Sequence, residues 1–147
     1  MEARIERFNE PVLAESNGDA AVQGTSNDAA VSRDSAARLG YITDPFIHNF
    51  VRQPQRRPPL INRGTFCRFH GIQNALRQFS AANDTEPKQV VVLGAGLDTS
   101  FFILQAEQLL QSVRYFEIDF EEITSKKAST MYRKRQLRAL LPEDVKV

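Results

Sequence analysis

From residue 61 to 83, INRGTFCRFHGIQNALRQFSAAN, apolar side chains return every three or four positions: Phe66, Phe69, Ile72, Ala75, Leu76 and Phe79. That period predicts a helix with one apolar face, weakened at its start and middle by Gly64 and Gly71. The pattern then changes. QVVVLGAG, 89–96, sets β-branched residues side by side without polar alternation, which suits a parallel strand buried on both faces. DTSFFILQAEQLLQ, 98–111, reads as a helix packing through Phe101, Phe102, Leu104, Leu109 and Leu110. VRYFEIDF, 113–120, reads as a second strand. EEITSKKASTMYRKRQLRALL, 121–141, reads as a further helix that stops near Pro142. Strand, helix, strand, helix predicts a βαβ crossover and a parallel sheet, hence an α/β fold.

The preceding stretch is helical and looped. TSNDAAVSRDSAARLGY, 25–41, predicts a helix with N-caps at Thr25, Ser26 or Asn27 and a stop at Gly40. Asp44 and Pro45 open a short helix that carries Phe46, Ile47, Phe50 and Val51. RQPQRRPP is a basic, proline-rich loop, and DTEPK a linker. The expected organisation is a flexible arm over 1–24, a helical region over 25–86, and the start of an α/β domain over 87–147.

Composition adds exclusions. The 147 residues are 41% hydrophobic and 25% charged with net charge +1, a balance that singles out neither nucleic acid nor a membrane surface. Cys67 is alone, so no internal disulfide can form, which fits a reducing compartment. No signal-like apolar region opens the chain, and no apolar run approaches the roughly 20 residues of a membrane span. A cytoplasmic monomer that touches neither membrane nor nucleic acid is expected. KKASTMYRKRQLR is strongly basic; it reads as a solvated helix face with cations toward its C-terminal end, with RNA contact as the other reading.

The chemistry sits at the glycine turn. Gly94 and Gly96 let a ligand approach the backbone, and the next helix turns free N–H groups toward it, capped by Asp98 or Thr99. A dinucleotide fingerprint needs a third glycine, and Thr99 stands there instead. Asp119 follows the turn by roughly 20–25 residues, where a carboxylate meets ribose hydroxyls in βαβ nucleotide sites. Glu117, two residues earlier on the same strand face, competes with it. Either acid also reads as a helix cap, and the glycines as a plain turn. Turn plus acid without the third glycine points to S-adenosylmethionine, a nucleoside with no pyrophosphate.

The pieces VQGTSNDAAVSRDSAARLGYITDPFIHNFV, PPLINRGTFCRFHG, VVVLGAGLDTSFF and RYFEIDF resemble, in order and spacing, the leucine carboxyl methyltransferases. The resemblance covers 22 to about 127. It implies a class I methyltransferase (Rossmann-like) fold, an N-terminal helical lid over the first two strands of the sheet, and S-adenosylmethionine as cofactor. It implies methylation of the C-terminal leucine α-carboxylate of the protein phosphatase 2A catalytic subunit, or, in a related branch, formation of the wybutosine base of transfer RNA. By the same resemblance Arg68 holds the methionine carboxylate of the cofactor, Gly94 and Gly96 lie under it, and Asp119 takes the ribose. Arg33 replaces a lysine near that carboxylate and keeps its charge. On its own, Arg68 reads as a solvated or salt-bridged helix arginine. His48, His70 and Cys67 have no evident chemical partner, and an ionised carboxylate substrate needs no general base, so no catalytic residue and no metal ligand is assigned. Two strands being fewer than the family's sheet, the chain reads as the front part of such an enzyme, with weak cofactor binding and no turnover alone. A non-catalytic short form is the third reading.

Overall fold

The computed structural model describes residues 17–82, 87–143 and 145. The rest of the expected arm, 1–16, lies outside them. Helix α1, Asn17–Arg38, starts within the segment read as an arm. Thr25, Ser26 and Asn27 are therefore interior helix positions, not caps, because the alanines upstream are good helix formers. Its end is as expected. Gly40 adopts φ 75°; its N–H donates to Ala37 O, and Tyr41 N–H donates to Ala36 O, the paired bonds of a Schellman stop.

The expected short helix after Asp44 is a 3₁₀ turn, Ile47–Asn49. Asp44 Oδ1 accepts the N–H groups of Phe46 and Ile47, both at 3.1 Å. Helix α2, Pro59–Ala81, begins with proline at its first position, where the missing N–H costs nothing. Strands β1, Lys88–Leu93, and β2, Val113–Ile118, pair in parallel, Lys88 opposite Val113 through Leu93 opposite Ile118. Between them α3, Ser100–Ala106, is shorter than expected. Gln108, at φ 58°, turns the chain out of the helix, and Leu109 and Leu110 belong to the connection. The last expected helix divides into α4, Glu121–Arg133, and α5, Arg135–Arg138, because Lys134 is extended.

The core lies where α1, the 3₁₀ turn and α3 meet. Phe102 is fully buried, with its ring 5.8 Å from Phe46 and 6.1 Å from Phe50. Leu137 of α5 joins the same cluster.

The sheet departs from the expectation of burial on both faces. Phe101 of α3 packs on Tyr115, ring centroids 5.6 Å apart, on the face that Tyr115 shares with Val90 and Glu117. Side chains alternate along a strand, so Val91, Leu93, Phe116 and Ile118 share the opposite face, and all four are exposed. Among the described residues nothing covers that face, and α2 likewise leaves Phe66, Ile72 and Phe79 exposed. Phe102→Ala is expected to cost about 3–5 kcal/mol, and Leu93→Ala less than about 0.5 kcal/mol, in urea denaturation followed by circular dichroism. Equal losses would contradict this division of the sheet.

Candidate functional site

A cleft of about 820 Å³ runs between α1, α2 and the C-terminal end of β1. Arg33, Arg68, Gly94 and Gly96 all line it. Asp119 is not on its wall but touches it: Oδ2 accepts Gly96 N–H at 2.6 Å and Oδ1 accepts Phe120 N–H at 2.8 Å. Four of the five residues singled out in the sequence thus line one cleft, and the fifth, Asp119, is bonded to its glycine turn. Both glycines hold positive φ, 66° at Gly94 and 54° at Gly96. A β-carbon at Gly96 would stand 3.3 Å from Ser26 Cβ on α1, whereas one at Gly94 meets nothing. Gly96 lets the turn approach the helix, and Gly94 leaves its backbone open.

Arg33 is held from two sides. Its Nε donates to Asp44 Oδ2 at 2.6 Å, and its Nη1 donates to Asp98 Oδ2 at 2.5 Å. The guanidinium also lies 4.9 Å from the Phe69 ring centre. Asp44 is saturated, since Oδ2 accepts Thr99 Oγ1 as well, at 2.5 Å. Asp98 Oδ1 accepts Ser100 N–H at 2.7 Å, so the same carboxylate caps α3 and holds Arg33. Thr99 holds the cap position of α3, but its side chain bonds Asp44 and not the helix; Asp98, one residue earlier, supplies the hydrogen bond to Ser100 N–H. Burial acts to raise the Asp98 carboxyl, but Arg33 and the hydrogen bonds from Ser100 hold it below the usual carboxylate range.

Three buried polar atoms on this wall have no hydrogen-bond partner among the described residues: Arg33 Nη2, Gln73 Oε1 and Tyr115 Oη. Gln73 Nε2 donates to Ser100 Oγ at 2.7 Å, which ties it to the same network. Arg68 is exposed on α2 and forms no ion pair among the described residues. Glu117, the competitor of Asp119, is engaged elsewhere. Lys127 Nζ donates to Glu117 Oε2 at 2.5 Å and to Asp98 O at 2.6 Å. Burial raises the Glu117 carboxyl, with Lys127 opposing. His70 stacks on Phe66 at 4.3 Å, a packing role. Among the described residues no cluster of His, Cys, Asp and Glu could hold a metal ion, and no helix is long and apolar enough to cross a membrane.

Sequence reasoning took Asp44 and Asp98 for caps and missed their grip on Arg33, because a cap signal is local and the pairing spans 65 residues for Asp98. Gln73 and Tyr115 carried no signal beyond their helix and strand patterns, and Lys127 stood out only as part of the basic run of 126–138.

Asp98 is a stronger acid folded than unfolded. The folded chain then binds fewer protons, so this group stabilises above the ordinary carboxylate value, and that contribution is lost as pH falls through the folded value. Asp98→Asn should flatten the acid limb of stability as pH falls below the ordinary carboxylate value of about 4 in urea midpoints; an unchanged slope would contradict the pairing.

The sequence model of leucine carboxyl methyltransferase matches residues 21–146. The leucine carboxyl methyltransferase 1 homolog of Arabidopsis thaliana is 42% identical over 127 residues, covering 86% of this chain and 38% of that protein. Leucine carboxyl methyltransferase 1 of Rattus norvegicus is 39% identical, over 86% of this chain and 39% of its own length. The tRNA wybutosine-synthesizing protein 4 of Aspergillus oryzae is 36% identical, over 84% of this chain and 12% of its own. The chain thus spans about two fifths of the leucine carboxyl methyltransferases it matches. With that match along nearly the whole chain, and the glycine turn, the acidic strand end and both arginines gathered at one cleft, the chain belongs to the leucine carboxyl methyltransferase family.

Proposed function

We propose that the cleft is the methionine and ribose half of an S-adenosylmethionine site in a class I, Rossmann-like methyltransferase. The supporting observation is Arg33, a residue of the cleft wall clamped by two carboxylates yet left with a buried Nη2 that has no partner among the described residues. A guanidinium presents its donors in a fixed fork, so fixing Nε and Nη1 fixes where Nη2 points. That donor and the unpaired Arg68 suit a ligand carboxylate. Asp119 spends one acceptor site per oxygen on backbone N–H groups; a carboxylate has about four such sites, so two remain for a ribose diol. Among the described residues the cleft wall carries two carboxylates, Asp28 and Asp98, and two arginines, Arg33 and Arg68, a balance that suits a ligand bearing both charges. S-adenosylmethionine is such a ligand, with an ammonium and a sulfonium.

When bound, the cofactor supplies an electrophilic methyl group. The chain's own contribution is alignment rather than proton transfer. The substrate we favour is the C-terminal leucine α-carboxylate of the protein phosphatase 2A catalytic subunit, in the cytoplasm, because the more similar of the relatives above are named leucine carboxyl methyltransferases. The 36% identity to the wybutosine protein supports transfer RNA as the second reading.

Calorimetric titration of S-adenosylmethionine into the chain, with NADH as control, tests the site. Saturable binding of the former alone is expected, weakened about tenfold or more in Arg68→Ala and Asp119→Ala, as for loss of hydrogen bonds to charged groups. Binding of NADH instead, or binding indifferent to both substitutions, would contradict it. Binding of a peptide ending in a free leucine carboxylate, compared with its amidated form in the presence of S-adenosylmethionine, then separates the two substrate readings.

A further inference from the structure

A second cleft, of about 430 Å³, adjoins the first across the glycine turn, with Leu97 lining both. Its wall carries Arg52 from the loop after the 3₁₀ turn, Lys126, Thr130 and Arg133 from α4, and Lys134 from the break before α5. Lys126, Thr130 and Arg133 follow at steps of four and three, which places them on one face of α4. Among the described residues no acidic one lines this cleft. Lys126 Nζ donates to the neutral Asn27 Oδ1 at 3.0 Å, and Arg133 Nε to the Ser129 carbonyl at 3.0 Å. Among the described residues, none of the four cations pairs with a carboxylate.

The basic run of α4 is thus more than a solvated face. Separate elements bring cations to one concavity in a chain whose net charge is only +1, and like charges held together favour an anionic partner. RNA recognition in single strands relies on exposed aromatic rings to stack bases. Of the two rings on this wall, Phe50 is buried at 7% exposure and His48 is exposed, one stacking surface where successive bases each need one. An acidic peptide needs only spaced cations. Lys126 and Arg133 stand about 10.5 Å apart along the helix axis, within reach of carboxylates that repeat about every 6.8 Å along an extended chain.

We propose that this cleft binds an acidic polypeptide segment, and, resting on the proposed methyltransferase function, that this segment belongs to the protein substrate close to its methylated end. The cleft then selects substrates by charge beside the site of methyl transfer.

The test is fluorescence anisotropy of a labelled, C-terminally amidated hexaglutamate peptide with the whole chain. Amidation removes the terminal carboxylate, and the substitutions below assign the remaining side-chain binding to this cleft. Saturable binding is expected that weakens from about 50 mM to about 200 mM salt. It should fall about tenfold or more in Arg133→Glu/Lys134→Glu, while S-adenosylmethionine affinity stays unchanged. Should that pair of changes unfold the chain, the single exposed-site variants Arg52→Gln and Lys134→Gln decide, each expected to weaken the peptide about twofold to fivefold. No peptide binding, binding unaltered in the folded variants, or tighter binding of a uridine-rich RNA at the same salt would overturn the proposal. Peptide binding without cofactor binding would leave this cleft standing and count against the methyltransferase site; the reverse would do the opposite.

Discussion

The buried guanidinium of Arg33, gripped by Asp44 and Asp98, joins the parts of this structure that the chain keeps far apart. Arg33 comes from α1, Asp44 from the loop before the 3₁₀ turn, and Asp98 from the turn after β1. A buried charge is tolerated only when paired and hydrogen-bonded. Here each partner has a second duty: Asp44 orders the 3₁₀ turn and holds Thr99, and Asp98 caps α3. Loss of either carboxylate would leave a half-paired cation and a frayed element together.

The turn itself is held from the other side by β2 and α4. Gly94 and Ala95 donate to Ile118 O, at 2.8 Å and 3.2 Å, Gly96 to Asp119, and Lys127 bridges Asp98 O and Glu117. Backbone at the carboxyl end of β1 is therefore fixed by strand pairing, by an acid and by a lysine. Such fixing lets weak individual contacts act on one ligand geometry, since little further order must be gained on binding.

Much of this was legible in the residues. Helical spacing located α2, the run of β-branched residues located β1, and Gly-Ala-Gly with the acid just after β2 pointed to the candidate cleft. Other features depended on partners distant in sequence. No local pattern marks Gln108 as the residue that ends α3 or Lys134 as a helix break; both are backbone choices at residues without a turn signal. The expectation that β1 is buried on both faces followed from its composition, and composition records what a face prefers rather than what covers it; Val91 and Leu93 are exposed among the described residues. Arg33 was singled out by family resemblance alone, and its clamp appears only once α1 and the glycine turn meet.

The claim at the centre is that Arg33 Nη2 is held ready for a ligand carboxylate. The direct measurement compares S-adenosylmethionine with its decarboxylated analogue, by calorimetry, on the unaltered chain and on Arg33→Ala. The account predicts that both ligands lose affinity as the turn loosens, and that S-adenosylmethionine loses about tenfold more than the decarboxylated analogue. An equal loss for both ligands would show that Arg33 supports the fold of the turn and does not meet the carboxylate, and would contradict the account.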